Sequence, residues 1–327
     1  MPRALITGIT GRDGLYLSEL LLSKGYEVYG LIRGQNNPKL DLVRQTVPDV
    51  KLINGDLTDV SSITRVFNIA QPDEVYNLGA ISLVAYSWEN SSMTTDVTGK
   101  GVLNIVEATR HYAGDDISKV RFYQASSSET FGKVQDVPQR ETPLLWPRSP
   151  YGVAKVFGHY MAINYRESYG MHASSGTLFN HESPRRGPEF VTRKVSQAAS
   201  RIKLGLQSEL TLGNLDAKRD WGFAGDYVDA MWRMLQQPVA DDYVISTGET
   251  HPIRDLLDVG LAAAGIDNWT PYVRQDPRFM RPAEVDLLIG DPKNAHDVLE
   301  WTPTVSFKSL VQMMVENDLA EQSVLVR

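Results

Sequence analysis

The 327-residue chain contains no cysteine. Disulfides, thiolate-ligated metals and a cysteine nucleophile are therefore excluded, and a reducing compartment fits. No apolar run approaches membrane-spanning length. Residues 1–8 carry no charged-then-apolar leader, so a cytoplasmic protein with no membrane contact is expected. The six histidines are scattered, with none paired at the i, i+4 spacing of a helical zinc site, and no metal is expected. Excess positive charge is also missing. A net charge of -7 argues against a nucleic-acid surface, although local arginines can still gather an anion.

What is present suits an enzyme with a large core. Hydrophobic residues make up 42% of the chain and charged residues 22%, and this length suggests two lobes more than two independent domains. Short apolar runs alternate with helical periodicity through the first half, as in a parallel sheet covered by helices on both faces. Strands are expected at 4–7, 26–32, 51–53, 75–78 and 120–124, with a first helix over 15–22 that stops at Lys24-Gly25. Beyond Leu178 the texture changes. A turn-rich loop at 183–188 precedes a helix near 191–206, and Tyr243-Val244-Ile245 again reads as a strand. The expected fold is α/β, a doubly wound parallel (Rossmann-type) sheet with a smaller, discontinuous C-terminal substrate lobe. Residues 1–178 form the dinucleotide-binding domain, with strands returning to it over about 215–248. Residues 179–327 mainly form the other lobe.

Gly8-Ile9-Thr10-Gly11-Arg12-Asp13-Gly14 lies between the first strand and the first helix. Glycines there allow a tight turn and bring a pyrophosphate to the helix N-terminus, where free amides favour anions. Arg33 ends the second strand, where an NAD enzyme carries Asp or Glu, so NADP is preferred over NAD unless Arg33 is only an exposed strand end. Asp56, after the third strand, reads as an adenine contact or a helix cap.

Of the 14 tyrosines, only Tyr151 has a lysine four residues on, Lys155. That spacing puts both side chains on one helical face, and the ammonium is expected to lower the phenol's pKa and make Tyr151 a base. Ser127 and Glu129 precede the pair in the serine-rich run 125–129. Ser127 is suited to hydrogen-bond a developing ketone. Glu129 adds a second proton-transfer group, or is a solvated loop carboxylate. Two bases and one hydride acceptor describe oxidation followed by elimination.

At these residues, and over Leu5 to about Met314, the chain resembles the GDP-mannose 4,6-dehydratases, which are extended short-chain dehydrogenases/reductases. The resemblance rests on Phe122-Tyr123-Gln124-Ala125-Ser126, on Arg148-Ser149-Pro150-Tyr151-Gly152, and on stretches 179–187, 190–194, 213–221 and 281–286. It implies conversion of GDP-mannose to GDP-4-keto-6-deoxymannose with NADP, by a homodimer or homotetramer. It implies catalytic roles for Ser127, Glu129, Tyr151 and Lys155. It implies cofactor contacts at Leu57, Leu78, Gly79, Ala80, Ser82, Tyr151, Lys155, His181 and Arg186, besides the glycine-rich turn, Arg33 and Asp56. It implies substrate contacts at Ser82, Asn180, Val191, Lys194, Arg219, Arg281 and Glu284, besides Ser127 and Glu129.

Three departures stand out. The family has threonine where Ser127 stands, which keeps the hydroxyl. The Arg-Arg-x-Ser segment after the second strand is replaced by Arg33-Gly34-Gln35-Asn36-Asn37-Pro38, and Ile81 and Leu83 replace a glutamine and a ring. Two other readings use the same residues. A GDP-sugar epimerase or 4-reductase would need Tyr151 and Lys155 without Glu129, and a catalytically silent cofactor sensor would need no second base.

Overall fold

The computed structural model describes residues 1–34, 37–279, 283, 285 and 287–324. Its first half alternates β1 (Arg3–Thr7), α1 (Arg12–Ser23), β2 (Glu27–Ile32), α2 (Leu40–Thr46), β3 (Lys51–Asn54), α3 (Val60–Ala70) and β4 (Glu74–Asn77). A broken helical stretch follows, made of α4 (Val84–Glu89), α5 (Ser91–Thr94) and α6 (Gly101–Ala113), with a π-helical link at Thr95–Lys100. Next come β5 (Arg121–Ala125), α7 (Pro150–Tyr169), β6 (His172–Leu178), β7 (Asn180–Glu182), α8 (Val191–Lys203), β8 (Leu210–Leu212), β9 (Lys218–Arg219) and β10 (Trp221–Phe223). The chain ends with α9 (Ala224–Gln236), β11 (Asp242–Ile245), β12 (His251–Pro252), α10 (Ile253–Ala263), β13 (Val273–Gln275), α11 (Lys293–Leu299) and α12 (Phe307–Ser323).

Seven strands form one parallel sheet in the order β11-β6-β5-β4-β1-β2-β3. The fold is α/β with a doubly wound, Rossmann-type sheet. Strand order reverses beside β1, and in such sheets ligands bind outside the carboxyl ends at that reversal. A buried polar chain crosses those ends. Thr7 Oγ1 donates to Asn77 Oδ1 at 2.6 Å, Asn77 Nδ2 donates to Gln124 Oε1 at 2.8 Å, and the Gly79 N–H donates to Thr7 Oγ1 at 3.0 Å. Each of these inward polar groups has a partner, which avoids the ~1–3 kcal/mol cost of an unmet buried donor or acceptor.

One face of the sheet packs on α1 and α9 through Leu17, Leu21, Met231 and Met234, and the other on α3 and α6 through Ile63, Phe67, Ile105 and Val106. A further core, with Val195 on α8, Leu257 on α10, Val311 on α12 and the Trp221 ring, holds the second lobe. Fully burying each such side chain contributes ~1.5–3 kcal/mol. Small strand pairs, β7 with β10, β8 with β13 and β9 with β12, edge this lobe and face the cleft.

The first helix starts at Arg12, ahead of the expected 15–22, because Gly11 caps it in an extended conformation and the glycine-rich turn runs directly into it. α8 stops at Lys203, short of the expected 206, where Gly205 takes a φ of +71°. Among the described residues no helix is long and apolar enough to cross a membrane.

Candidate functional site

A cleft of ≈ 830 Å³ runs between the sheet's carboxyl ends and the second lobe. At one end lies the glycine-rich turn. Gly8 has a φ of +73°, and a Cβ there would stand 2.8 Å from the Gly79 nitrogen; a Cβ on Gly14 would stand 2.6 Å from the Gly8 carbonyl oxygen. Only glycine fits this cradle, and it leaves the α1 N-terminus open to an anion. Gly8, Thr10, Gly11, Arg12, Asp13 and Gly14 all line the cleft, with Leu78, Ala80 and Ser82 across from them. Ile9 does not. Its side chain is fully buried under Gly30. Gly79 and Leu57 pack against each other beneath the floor, where a Cβ on Gly79 would lie 2.7 Å from the Leu57 side chain.

Arg12 and Asp13 turn their side chains toward β7. Arg12 Nε donates to Asp13 Oδ1 at 2.7 Å, and its Nη1 donates to the His181 carbonyl. The His181 Nε2 lies 3.0 Å from Asp13 Oδ2, its Nδ1 lies 2.7 Å from the Phe179 carbonyl, and its ring stacks on Tyr227. Burial pushes the Asp13 carboxyl up, but Arg12 and His181 outweigh it and hold the group well below the usual carboxylate range. Glu182 completes the cluster. It accepts from Thr192 Oγ1 at 2.8 Å and ion-pairs with Arg186 Nε at 3.0 Å. Arg12 lies 3.7 Å from the same oxygen. Burial lowers Arg186 to about 10, with Glu182 opposing the shift, and its guanidinium covers the Phe190 ring at 3.4 Å.

Ser127, Glu129, Tyr151 and Lys155 meet in the middle of the cleft. β5 delivers Ser127, whose hydroxyl accepts the Glu129 N–H at 3.3 Å and opens a short 3-10 turn, Ser128–Thr130, that turns Glu129 inward. Glu129 is buried. α7 delivers the other pair, capped by Ser149, which accepts from the Gly152 N–H at 3.0 Å, with Pro150 as its first residue. Tyr151 and Lys155 share one face, as their spacing requires.

Their electrostatics differ from the expectation that Lys155 lowers the Tyr151 pKa. Burial raises the phenol above its ordinary value, and the Glu129 charge adds to the rise. A hydrogen bond with Ser127 and the charge of Arg186 oppose it without winning. The Lys155 ammonium donates instead to the Ala125 carbonyl at 2.8 Å and stands 5.7 Å from the Tyr151 ring centre. Burial lowers Lys155 to about 8, against the pull of Asp13.

At the far end, Asn180 on β7, Val191 and Lys194 on α8, and Arg219 on β9 line one wall. Arg281 and Glu284 lie outside the described residues. Arg33 is exposed and faces an adjoining hollow of ≈ 640 Å³ that Thr58 and Lys100 also line. Asp56 accepts from the Thr58 N–H at 2.9 Å and from its hydroxyl at 2.7 Å, which closes a turn. It is not the helix cap. That role falls to Asp59, whose carboxylate accepts from the Ser61 N–H at 3.0 Å.

Residues 5–314 match the family model described as GDP-mannose 4,6 dehydratase. The chain belongs to the GDP-mannose 4,6-dehydratase family. It is 52% identical over 324 residues to GDP-mannose 4,6 dehydratase 2 of Arabidopsis thaliana, covering 97% of this chain and 86% of the relative. It is 45% identical over 362 residues to GDP-mannose 4,6-dehydratase of Yersinia enterocolitica, covering 100% and 97%. Among solved structures, the UDP-glucose 4-epimerase of Thermus thermophilus in complex with NAD is similar at 27% identity and a TM-score of 0.81, covering 97% and 98%.

Several cleft residues of this family member were not singled out from the sequence. Glu182 is one, and its position between His181 and Arg186 was the available signal. Lys39, Trp88, Arg278 and Phe279 also line the cleft. Phe279, on the 3-10 turn Pro277–Phe279, is 55% exposed and stands 5.6 Å from the Lys194 ammonium. Leu83 lines the cleft beside Ala85 and Trp88, giving that wall an apolar stretch, while the Ile81 N–H is taken by Thr98 Oγ1 at 3.0 Å.

Proposed function

We infer that the protein is a GDP-mannose 4,6-dehydratase, a lyase that converts GDP-D-mannose to GDP-4-keto-6-deoxy-D-mannose. The observation that carries this reading is the buried Glu129 beside Tyr151. An epimerase, a 4-reductase or a silent sensor has no use for that second proton-transfer group. When bound, the nicotinamide cofactor accepts hydride from sugar C4 and later returns it to C6. Residues 8–14 with the α1 N-terminus would hold its pyrophosphate, and Lys155, His181 and Arg186 its nicotinamide end. The cradle that excludes any Cβ on Gly8 or Gly14 supports this fit.

Tyr151 takes the C4 hydroxyl proton while Ser127 hydrogen-bonds the oxygen that becomes the ketone. Burial keeps the phenol protonated in the protein alone. The Ser127 hydrogen bond and the Arg186 charge favour the phenolate, and the positive charge of an oxidised nicotinamide, when bound, would add to them. The new C4 carbonyl acidifies the C5–H. Glu129 removes that proton and supplies one to the C6 hydroxyl, which leaves as water. Asn180, Val191, Lys194 and Arg219 hold the GDP moiety, since converging cations and amides offset a diphosphate.

NADP is the cofactor in this reading. Arg33 and Lys100 face one hollow at the end of β2, where a 2′-phosphate belongs. Glu89 and Asp96 share that hollow, so its charge is mixed. The working unit is a homodimer or homotetramer. Val153, Phe157 and Tyr160 on α7 support it, being 57%, 40% and 50% exposed at helical spacing. A division near residue 178, with return over about 215–248, and a cytoplasmic location complete the reading. Proton NMR of the protein with GDP-mannose tests the reaction. Dehydration gives a new methyl signal from C6, and a product with C6 still oxygenated would overturn it.

A further inference from the structure

Resting on the reading that Arg219 binds the substrate diphosphate, we propose that Asp220 is the positioning residue that holds Arg219 at the cleft. The two residues are neighbours at the junction of β9 and β10, and successive strand side chains point to opposite faces. Arg219 lines the cleft, whereas Asp220 is fully buried behind it. There its carboxylate gathers donors from two distant segments. Oδ1 accepts from the Thr247 N–H at 2.9 Å and the Thr247 hydroxyl at 2.8 Å; Oδ2 accepts from the Gly248 N–H at 3.0 Å. The Gly290 N–H also bonds this carboxylate.

Those segments lie far apart in sequence and pack against each other at Ser246 and Gly290. Residues 246–248 follow β11, the edge strand of the large sheet. Residues 287–290 run along β9, with Leu287 bridged to Lys218 and the Leu288 N–H donating to the Lys218 carbonyl. Gly290 fits only as glycine, because a Cβ there would stand 2.5 Å from Ser246 Oγ. Asp220 thus pins β9 to the end of the large sheet and to the chain that flanks it. Asp220 does not itself line the cleft, so any effect on the substrate passes through its lining neighbours, of which Arg219 is the charged one.

The test compares GDP-mannose KM, kcat and the NADPH dissociation constant in Asp220→Asn and the wild-type enzyme. Asparagine keeps one acceptor oxygen and loses the bonds to the other. We expect KM to rise about 10-fold or more, as for loss of hydrogen bonds to a charged group. At saturation kcat should stay within about 3-fold and NADPH affinity within about 2-fold. An unchanged KM, or NADPH binding that weakens as much as KM rises, would overturn the proposal. Should Asp220→Asn fail to fold, Thr247→Val removes a single bond and should raise KM in the same direction by about 3-fold; no rise there overturns it equally. Arg219→Met separates substrate binding by Arg219 from its positioning by Asp220. If it leaves KM unchanged, the reading of Arg219 fails; if it raises KM while Asp220→Asn does not, only the role of Asp220 fails.

Discussion

Lys155 Nζ donates to the Ala125 carbonyl at 2.8 Å, so the ammonium of α7 is anchored to the end of β5. Burial lowers its pKa to about 8. Since the folded value lies below the ordinary lysine range, the cation is fully present below that pH and is lost as pH rises through it. NADPH affinity that depends on this cation should therefore weaken between about pH 7 and 9. Fluorescence titration of bound NADPH should show the decline in the wild-type protein. Lys155→Met should bind weakly at every pH, with no decline. An undiminished affinity in that variant would remove Lys155 from the cofactor site.

Replacing Glu129 with Gln separates oxidation from elimination. Ser127, Tyr151 and Lys155 are untouched, so hydride should still leave C4 and reduced nicotinamide should accumulate on the enzyme. Keto-deoxy sugar formation should fall by roughly 10²–10⁴-fold, the usual worth of a general acid–base group. Full turnover in this variant would show that another group moves the C5 proton.

Cofactor choice turns on the hollow beside β2. Arg33→Met and Lys100→Met should each weaken NADPH binding by about 10-fold and leave NADH binding within about 2-fold, because only NADPH brings a 2′-phosphate. Asp96→Asn, which removes a carboxylate from the same hollow, should act in the opposite direction. Equal losses for both nucleotides would place the phosphate elsewhere.

Glu182 bonds Thr192, ion-pairs with Arg186 and lies near Arg12, while itself almost fully buried. Glu182→Gln removes the charge that compensates two buried guanidiniums. Loss of one partner from a buried pair costs about 3–5 kcal/mol, and urea unfolding should report a fall of that order. A change below about 0.5 kcal/mol, the usual range of surface substitutions, would mean the cluster is not coupled.

Local signals carried most of the fold. Apolar runs such as 4–7 and 51–53 are short and bounded by turn residues, so β1 and β3 were placed within a residue of their observed ends. The glycine-rich turn was legible because its spacing is a steric requirement. The start of α1 was not, since Gly11 caps it without a side-chain hydrogen bond and leaves no Ser, Thr, Asp or Asn to mark it. The i, i+4 rule put Tyr151 and Lys155 on one face, but it says nothing of what surrounds that face. Burial and the Ala125 carbonyl, 30 residues away, decide where the ammonium goes. The pairing of Asp13 with His181, across 168 residues, was out of reach for the same reason. Such contacts depend on how the chain returns to the sheet edge, and no local pattern encodes that path.

In this mechanism one hydride moves within one sugar, with Tyr151 and Glu129 handling separate protons. GDP-mannose deuterated at C4 tests it most directly. Incubated in ordinary water, the enzyme should yield a keto sugar whose C6 methyl carries the label. Deuterium lost to solvent, retained at C4, or absent from a methyl product would contradict the account.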